Sequence, residues 1–310
     1  MMLRSLTRTA TSVVNRIVNP HGLTDENELR SAVAGKTVLV TGASFGLGAA
    51  TARMLAQAGA KVLLAARTAE RLELIVEEVT AAGGKAYAYP ANLADPVAAE
   101  ALAGTILAEH GHVDILVNNA GKSIRRSVDL QYDRFHDFER TIGINYLGPV
   151  RLLLALLPSM RARGRGHIVN VSTLGVRVPP GPRWGAYQAS KGAYDTWLRS
   201  ITPEIQPDGV TVSTLYMGLI YTRMSAPTPI MRQLPGLRSG EAAELVARAI
   251  AKRPRTIEPW WLGPAELGSV VLRKPVDWGL SMLYRNSTDT SSANGNSRFT
   301  ELTSRAGGSR

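Results

Sequence analysis

A short β-branched run that leads straight into a glycine-rich turn constrains the fold of this chain most. Residues 37–40 (TVLV) precede residues 41–48 (TGASFGLG), and helix-forming residues follow. The pattern predicts a strand, a turn and a helix. Within the turn, Gly42 lets the chain reverse, Gly46 lets the backbone approach a pyrophosphate, and Gly48 lets the helix pack close to the strand. The sequence therefore predicts a nucleotide site at the start of this helix.

Strands and helices alternate after the turn. Further strands are predicted at 61–66, 85–89, 113–117, 167–171, 210–216 and 256–258, with helices at 69–82, 96–110, 134–160, 187–203 and 239–252. The strands are continuously apolar, as in a parallel sheet that is buried on both faces. We therefore expect a single α/β domain over residues 35–258, with a Rossmann-type doubly wound parallel sheet of about seven strands and a substrate lid at 222–240.

Two terminal extensions flank this domain. Residues 1–34 form a basic N-terminal extension, whose first 24 residues contain three arginines and no acid. It is either a frayed end or a helix that lies on anionic lipid. Residues 259–285 form an amphipathic C-terminal segment that either packs on protein or lies in a lipid interface. Apolar residues nearly vanish over 286–310, which predicts a mobile tail.

Composition excludes several classes of function. The 310 residues contain no cysteine, which excludes disulfides, thiolate metal sites and a cysteine nucleophile, and we expect no metal. The net charge of +11 suits an anionic ligand, a membrane surface or nucleic acid. No aromatic-interleaved basic repeat occurs, so no nucleic-acid partner is predicted. No apolar run is long enough to span a bilayer, and we expect a cytoplasmic protein, with peripheral contact at the inner membrane surface as an alternative.

The end of the second strand bears on which cofactor is used. A carboxylate about 20 residues past the glycine turn would bond the free 2′-hydroxyl of NAD. The chain has Arg67 there, and a guanidinium pairs with a 2′-phosphate, so NADP(H) is favoured. The alternative for Arg67 is a solvated loop charge. After the third strand, Asn92 and Leu93 are expected to border the adenine, by an amide and an apolar contact respectively.

A tyrosine and a lysine stand one helical turn apart at Tyr187 and Lys191. Residues at this spacing share a helix face, and a cation beside a phenol favours the phenolate. We therefore expect the pKa of Tyr187 to be lowered, so that the phenol can exchange a proton near neutral pH.

These features together resemble the short-chain dehydrogenase/reductase superfamily over about residues 35–258. The turn at 41–48, the run 118–121 (NNAG), Asn145, Ser172 and the Tyr187 pair occur in the family's order. The resemblance implies that Ser172 bonds the substrate carbonyl oxygen and that Tyr187 donates the proton. Lys191 would lower the pKa of Tyr187 and hold the nicotinamide ribose, while Asn145 would anchor a proton-relaying water. The cofactor contacts expected from the motifs are Thr41, Gly42, Ser44, Phe45, Gly46, Leu47, Gly48, Arg67, Asn92, Leu93, Asn119, Ala120, Gly121, Tyr187, Lys191, Gly218, Ile220 and Thr222.

The spacing of the serine departs from the family pattern. In many relatives it lies 13 residues before the tyrosine, whereas Ser172 lies 15 before Tyr187. Ser172 precedes Gly175 by three residues, as in the family, so we infer a two-residue insertion in the proline-rich loop at 179–182. The alternatives are that Thr173 serves instead, or that Ser172 is only a strand-end hydroxyl.

Three stretches narrow the substrate. Residues 121–127, 133–140 and 225–229 look like those of bacterial fatty acyl-CoA reductases of the same family, which reduce acyl thioesters to aldehydes. This resemblance predicts an NADPH-dependent oxidoreductase acting on a lipophilic carbonyl, with a long-chain acyl-CoA as the candidate. The groups expected to receive it are cations for the CoA phosphates and apolar lid residues for the alkyl chain, namely Lys122, Arg125, Arg126, Arg223, Arg232, Arg238, Ile230, Met231, Leu234 and Leu237.

Other functions stay open at this point. One is a ketone or alcohol oxidoreductase that acts on a steroid, polyketide or similar ring. Another, from a different class, is a non-catalytic NADP(H)-binding regulator. The resemblance also implies a homo-oligomer, a dimer or tetramer formed through the helices at 134–160 and 185–203.

Overall fold

Seven parallel strands form one sheet in the computed structural model, which describes residues 18–20, 25–179, 181–228, 231, 234–290 and 293. Their order across the sheet is β3-β2-β1-β4-β5-β6-β7, and all six neighbouring pairs are parallel. The prediction of a Rossmann-type doubly wound sheet is confirmed. The strands are β1 (Thr37–Thr41), β2 (Lys61–Ala66), β3 (Lys85–Pro90), β4 (Ile115–Asn118), β5 (Gly166–Thr173), β6 (Val210–Met217) and β7 (Thr256–Ile257).

Helices cover both faces of this sheet, and two buried apolar clusters lie between the layers. The four helices on one face are α1 (Glu26–Val33), α2 (Gly46–Gln57), α3 (Ala69–Ala81) and α8 (Ser239–Lys252). Those on the other face are α4 (Pro96–His110), α6 (Gly148–Ala162) and α7 (Gly185–Ile205). Strand β1 lies between β2 and β4, so the strand order reverses there. In an open α/β sheet this reversal leaves a crevice at the carboxyl edge of the strands, where ligands bind.

The helix predicted over 134–160 contains one wide turn. α5 (Phe135–Ile142) continues into α6 through a π turn at Gly143–Leu147. A π turn inserts an extra residue into a helix and is common at functional sites. Asn145 lies within it, which brings this amide to the crevice.

Two helices have unusual sequences: one is long and apolar, and the other contains a proline. By length and composition the continuous helix Phe135–Ala162 is apolar enough to cross a membrane, but half of its most apolar window is buried inside the fold. A core helix has the same property. α7 continues through Pro203 to Ile205, beyond the predicted end, because a proline in the last turn removes few helical hydrogen bonds.

The C-terminal segment folds into two further helices, α9 (Leu262–Val271) and α10 (Arg273–Arg285). After α10, residues 287–289 and 293 are hydrogen-bonded to the loop at 125–127 and to Arg183. The mobility of the tail stays a prediction, since residues 291–292 and 294–310 lie outside the described residues, as do residues 1–17 and 21–24 of the N-terminal extension.

Candidate active site

The glycine turn is clamped to the end of β4 by hydrogen bonds. The Thr41 hydroxyl accepts from the backbone amides of Asn119 and Ala120, both at 3.0 Å. The Asn119 side-chain amide donates to the carbonyl oxygens of Thr41 at 2.9 Å and Gly42 at 3.3 Å. Asn119 therefore shapes the turn with its side chain.

Each glycine of the turn occupies a place where a Cβ would collide. Gly42 has φ 66°, and a Cβ there would lie 2.9 Å from Ala120 Cα. A Cβ on Gly48 would lie 2.2 Å from the Gly42 carbonyl oxygen, and one on Gly46 would lie 2.9 Å from Thr222 Cγ2. Only glycine lets the backbone of the turn, the helix and the 222 loop come this close. The cradle fits the pyrophosphate of a dinucleotide at the amino end of α2.

The adenosine end of this cradle is lined with cations. Arg67 follows β2 and is exposed, and no carboxylate pairs with it in the part of the chain that the structure describes. The guanidinium of Arg223 lies 3.9 Å from the ring centre of Phe45, and that of Arg71 lies 5.2 Å from it. Ser44 borders the same groove. Guanidinium and hydroxyl donors in one place suit a phosphate.

Two of the predicted cofactor residues differ in exposure. Asn92 is exposed, and its side chain accepts from the Ala94 amide at 3.3 Å. Leu93 is only 2% exposed and packs in the core between the sheet and α6. The Leu93 side chain faces the core and therefore does not supply the apolar contact with an adenine that was expected of it. Leu47 is likewise a core residue, 5% exposed.

Asn145 joins two parts of the site. Its side-chain oxygen accepts from the Lys122 amide, and its nitrogen donates to the Lys122 carbonyl and to the Ser190 hydroxyl, all at 2.8 Å. Ser190 in turn donates to the Tyr187 carbonyl oxygen at 2.7 Å. The π turn thus fixes the loop after β4 against the helix that carries Tyr187. The predicted anchoring of a water by Asn145 stays a prediction.

Lys191 is buried beside the loop after β4. Its ammonium donates to the Val171 carbonyl oxygen at 3.0 Å, and a Cβ on Gly121 would lie 3.5 Å from Nζ. Burial lowers the pKa of Lys191 to about 8. The glycine at 121 leaves room for this cation at the crevice.

The pKa of Tyr187 differs from what the sequence predicted. Burial raises the pKa of Tyr187 to about 12, and a hydrogen bond with the Thr173 side chain opposes this in part. The net lowering that was expected is wrong for this structure, because burial of the phenol outweighs it, and the Lys191 ammonium donates to the Val171 carbonyl. The phenol is therefore neutral at physiological pH and carries the proton that an acid must give.

Two neighbouring hydroxyls at the end of β5 have different surroundings. Ser172 is 7% exposed, and its hydroxyl has no hydrogen-bond partner among the described residues. Thr173 is half-buried, ends the strand, and shares a side-chain hydrogen bond with Tyr187. The structure therefore brings Thr173, the alternative in the sequence analysis, into contact with the phenol. Gly175, which favoured Ser172 by spacing, packs against Gln188.

The loop after β6 closes the cradle from the other side. Ile220 forms a bridge with Leu237, and Thr222 lies against Gly46. Gly218 lies near Leu174 at the end of the crevice. Leu237 is 7% exposed and belongs to the core, which corrects its assignment as a lid residue for an alkyl chain. Ile230 and Arg232 lie outside the described residues.

The basic residues after β4 are not equivalent. Arg126 is buried and pairs with Asp137 at 3.0 Å, and Arg125 donates to the Thr288 carbonyl at 3.0 Å. Burial and the nearby Arg140 lower the pKa of Lys122. Within the described ranges, no three His, Asp or Glu side chains form a group that could hold a metal ion.

A family model described as short chain dehydrogenase matches residues 36–233. The chain belongs to the short-chain dehydrogenase family. An uncharacterised oxidoreductase of Mycobacterium tuberculosis is 47% identical to this short-chain dehydrogenase over 230 residues, 73% of this chain and 67% of the relative. A fatty acyl-CoA reductase of Acinetobacter baylyi is 46% identical over 228 residues, 74% of this chain and 77% of the relative.

A solved structure agrees with the fold. A metagenomic short-chain oxidoreductase in complex with NADP superposes with a TM-score of 0.62 at 33% identity, over 71% of this chain and 92% of that one. This short-chain dehydrogenase is therefore an oxidoreductase that uses a nicotinamide cofactor. Sequence reasoning located its glycine turn, Lys191 and Tyr187, and the structure places all three at one edge of the sheet. The role of Ser172, with Thr173 as its alternative, stays a prediction.

Proposed function

We propose that this short-chain dehydrogenase is an NADPH-dependent carbonyl reductase whose substrate is a long-chain acyl-CoA thioester. The placement of Tyr187, beside Thr173 at the end of β5 and on the same helix as the buried Lys191 and the Asn145-bonded Ser190, carries the proposal. Carbonyl reduction leaves negative charge on oxygen, and two hydroxyls that meet at one point supply a donor and a proton there.

Each residue of the site has a separate role in carbonyl reduction. When bound, the reduced nicotinamide supplies a hydride to the carbonyl carbon. Thr173 donates a hydrogen bond to the carbonyl oxygen, and Tyr187 protonates it, since its raised pKa keeps the phenol neutral. Lys191, whose buried ammonium donates to the Val171 carbonyl, adds a positive charge at the crevice that favours the negative charge left on Tyr187, although it does not offset the rise in the phenol pKa on burial. The product of this step is a hemithioacetal, whose C–S bond then breaks as its hydroxyl gives up the proton and the departing thiolate takes one up, so that an aldehyde and the free thiol of CoA are released.

Several features support NADPH as the reductant. Arg67 occupies the strand end where a carboxylate would favour NAD. Arg71, Arg223 and Ser44 surround Phe45 at the same end of the cradle. A 2′-phosphate would meet several donors and no unpaired acid, because Glu78, the acid in this groove, pairs with Arg53 at 2.7 Å.

The acyl-CoA assignment is supported by the relative and by the chemistry of the site. The relative from Acinetobacter baylyi is described as a fatty acyl-CoA reductase. The chain has no cysteine, so an acyl-cysteine intermediate is excluded and direct hydride attack on the thioester is required. Of the cations expected to meet CoA phosphates, Lys122 follows β4 beside Asn145, whereas Arg223 lies on Phe45 at the cofactor end.

A second candidate is a reductase of a lipophilic ketone. It is favoured by the engagement of Arg126 with Asp137 and of Arg125 with Thr288, which leaves fewer cations for CoA phosphates. A non-catalytic NADP(H)-binding regulator has no use for the contact between Tyr187 and Thr173. Cytoplasmic location and homo-oligomer formation remain predictions.

Oxidation of NADPH and release of thiol, measured together, test the proposal. With palmitoyl-CoA, the wild type should release one thiol for each NADPH oxidised. Tyr187→Phe should lower kcat by about a hundredfold or more, with NADPH binding retained. If ketones support NADPH oxidation and palmitoyl-CoA releases no thiol, the second candidate, a ketone reductase, replaces the acyl-CoA proposal. Unchanged activity in Tyr187→Phe would reject the catalytic assignment.

A further inference from the structure

The two C-terminal helices carry apolar side chains that the rest of the domain leaves uncovered. Their fractional exposures run from 41% for Met282 to 72% for Val271. Residues three or four apart on a helix share a face, so each helix has an outward apolar row. The exposed side chains are Leu267, Val270 and Val271 on α9, Leu272 between the helices, and Trp278, Met282 and Leu283 on α10. We call these residues the C-terminal face.

The inward side of α10 is already used. Val276 and Leu280, spaced by four, are half-buried against the domain. Tyr284, four residues further, lies with its ring 4.5 Å from the Arg183 guanidinium. The helix is therefore seated by one row, and Trp278 and Met282 occupy the other. A docked helix with an uncovered apolar row needs another apolar phase or partner.

Cations border the C-terminal face. Arg273, Lys274 and Arg285 are all exposed. The acids nearby are engaged, since Asp277 lies 3.9 Å from Arg273 and Glu266 pairs with Arg177 on the inner side. The face thus combines an apolar surface, an aromatic side chain and an excess of positive charge.

The N-terminal part of the chain reaches the same place. The indole nitrogen of Trp261 donates to the Val18 carbonyl oxygen at 2.9 Å. The 17 residues that precede Val18 contain Arg4, Arg8 and Arg16 and no acid. The chain that follows these arginines is therefore attached at Val18 beside the start of α9.

We propose that the C-terminal face docks on an anionic lipid bilayer. Trp278 and the aliphatic residues would enter the headgroup region, while Lys274 and Arg285 would contact lipid phosphates. A second copy of the chain is a poorer occupant, because an isologous contact would bring the same cations against one another. The inference does not depend on the proposed reaction, since it uses no residue of the crevice.

Sedimentation with lipid vesicles tests the proposal. Wild type should sediment with vesicles of phosphatidylglycerol and phosphatidylcholine, and far less with phosphatidylcholine alone. Val271→Glu/Trp278→Glu should weaken binding to the anionic vesicles by at least about tenfold. Val97→Glu/Phe135→Glu is the matched control, because Val97 and Phe135 are 74% and 72% exposed and the added charge is the same. That control should bind nearly as wild type.

Three results would overturn the proposal. The proposal fails if the wild type stays in solution with anionic vesicles. It also fails if the two double variants lose vesicle binding to the same extent. A wild-type dimer that Val271→Glu/Trp278→Glu converts to monomer, without vesicle binding, would assign the face to a second copy. Far-UV circular dichroism of both variants shows whether they fold, and Lys274→Gln/Arg285→Gln, which should lose anionic selectivity, is a second test that leaves the apolar residues in place.

Discussion

A Cβ added to Gly48 at the carboxyl edge of the sheet would lie 2.2 Å from a backbone oxygen, whereas one added to Gly268 or Gly279 in the C-terminal helices would meet no atom within 4 Å. At the sheet edge, Thr41, Asn119 and other polar groups have backbone partners that hold the turn. In the C-terminal helices, large apolar side chains are exposed to solvent along one side.

This difference separates two kinds of function. Chemistry at a carbonyl requires groups held to within fractions of an ångström, and the crowded edge provides that. Adhesion to a fluid surface requires area and charge without fixed geometry, and the open helices provide that. Substitutions at the edge should therefore act on catalysis and folding, and those on the helices should leave both nearly unchanged.

The largest effect is expected from the hydroxyl beside the phenol. Thr173→Val should lower kcat by about a hundred- to a thousandfold, because it removes the donor to the developing oxyanion. Ser172→Ala should lower kcat by less than about tenfold, since Thr173 is the hydroxyl placed beside the Tyr187 phenol. Steady-state kinetics with NADPH and the accepted carbonyl measures both. A greater loss in Ser172→Ala than in Thr173→Val would return the role to the serine.

A second effect compares the same substitution in the two regions. Gly48→Ala should lower the free energy of unfolding by about 2 to 3 kcal/mol, because a Cβ cannot be placed there without moving the turn. Gly279→Ala should raise it by about 0.5 to 1 kcal/mol, as expected at an open helical position. Urea titration followed by circular dichroism measures both. Similar losses at the two sites would show that the crowding at the edge does not control stability.

A third effect follows from the buried ammonium. Burial lowers the pKa of Lys191 from 10.5 to about 8, so below pH 8 the folded and unfolded chains both bind this proton. Between about pH 8 and 10.5 the unfolded chain binds more protons, and this lysine therefore makes the free energy of unfolding rise with pH, by up to about 1.4 kcal/mol per pH unit. In Lys191→Met that contribution should be absent. Urea midpoints at pH 7.5 and 9.5 measure it, and parallel pH profiles of wild type and variant would contradict the burial of a titrating lysine.

The smallest effect concerns the choice of cofactor. Arg67→Ala should raise the KM for NADPH by about tenfold and leave that for NADH nearly unchanged, because only NADPH has a 2′-phosphate to lose a charged partner. Arg255→Ala is a matched arginine control, because Arg255 precedes β7 at the opposite edge of the sheet from β2 and β3. Equal changes with the two cofactors would remove Arg67 from the phosphate site.

The sheet was predictable because its strands are buried on both faces. The run 62–66 is continuously apolar, and β2 (Lys61–Ala66) begins and ends where the strand was predicted. The glycine turn was predictable for a related reason, since Gly42 and Gly48 are required by close backbone contacts and Gly46 by its positive φ, and a sequence pattern records all three.

The surroundings of the catalytic side chains were not predictable in the same way. The pKa of Tyr187 depends on burial and on where the Lys191 ammonium points, and helical spacing specifies neither. Spacing to Gly175 selected Ser172, but contact with the phenol depends on which hydroxyl ends β5. The engagement of Arg126 with Asp137 likewise depends on tertiary packing, so a basic run at 122–126 was read as one surface.

Arg183 gives the C-terminal segment a connection to the reaction. Its guanidinium donates to the Ser287 hydroxyl and carbonyl, both at 2.7 Å, and pairs with Asp289 at 3.1 Å. Its neighbour Trp184 lies with its ring centre 6.0 Å from that of Tyr187. The Arg183 side chain thus links residues 287–289 to the loop that precedes Tyr187. A chain that ended at Asn286 would lack these contacts, and that loop would lose their support.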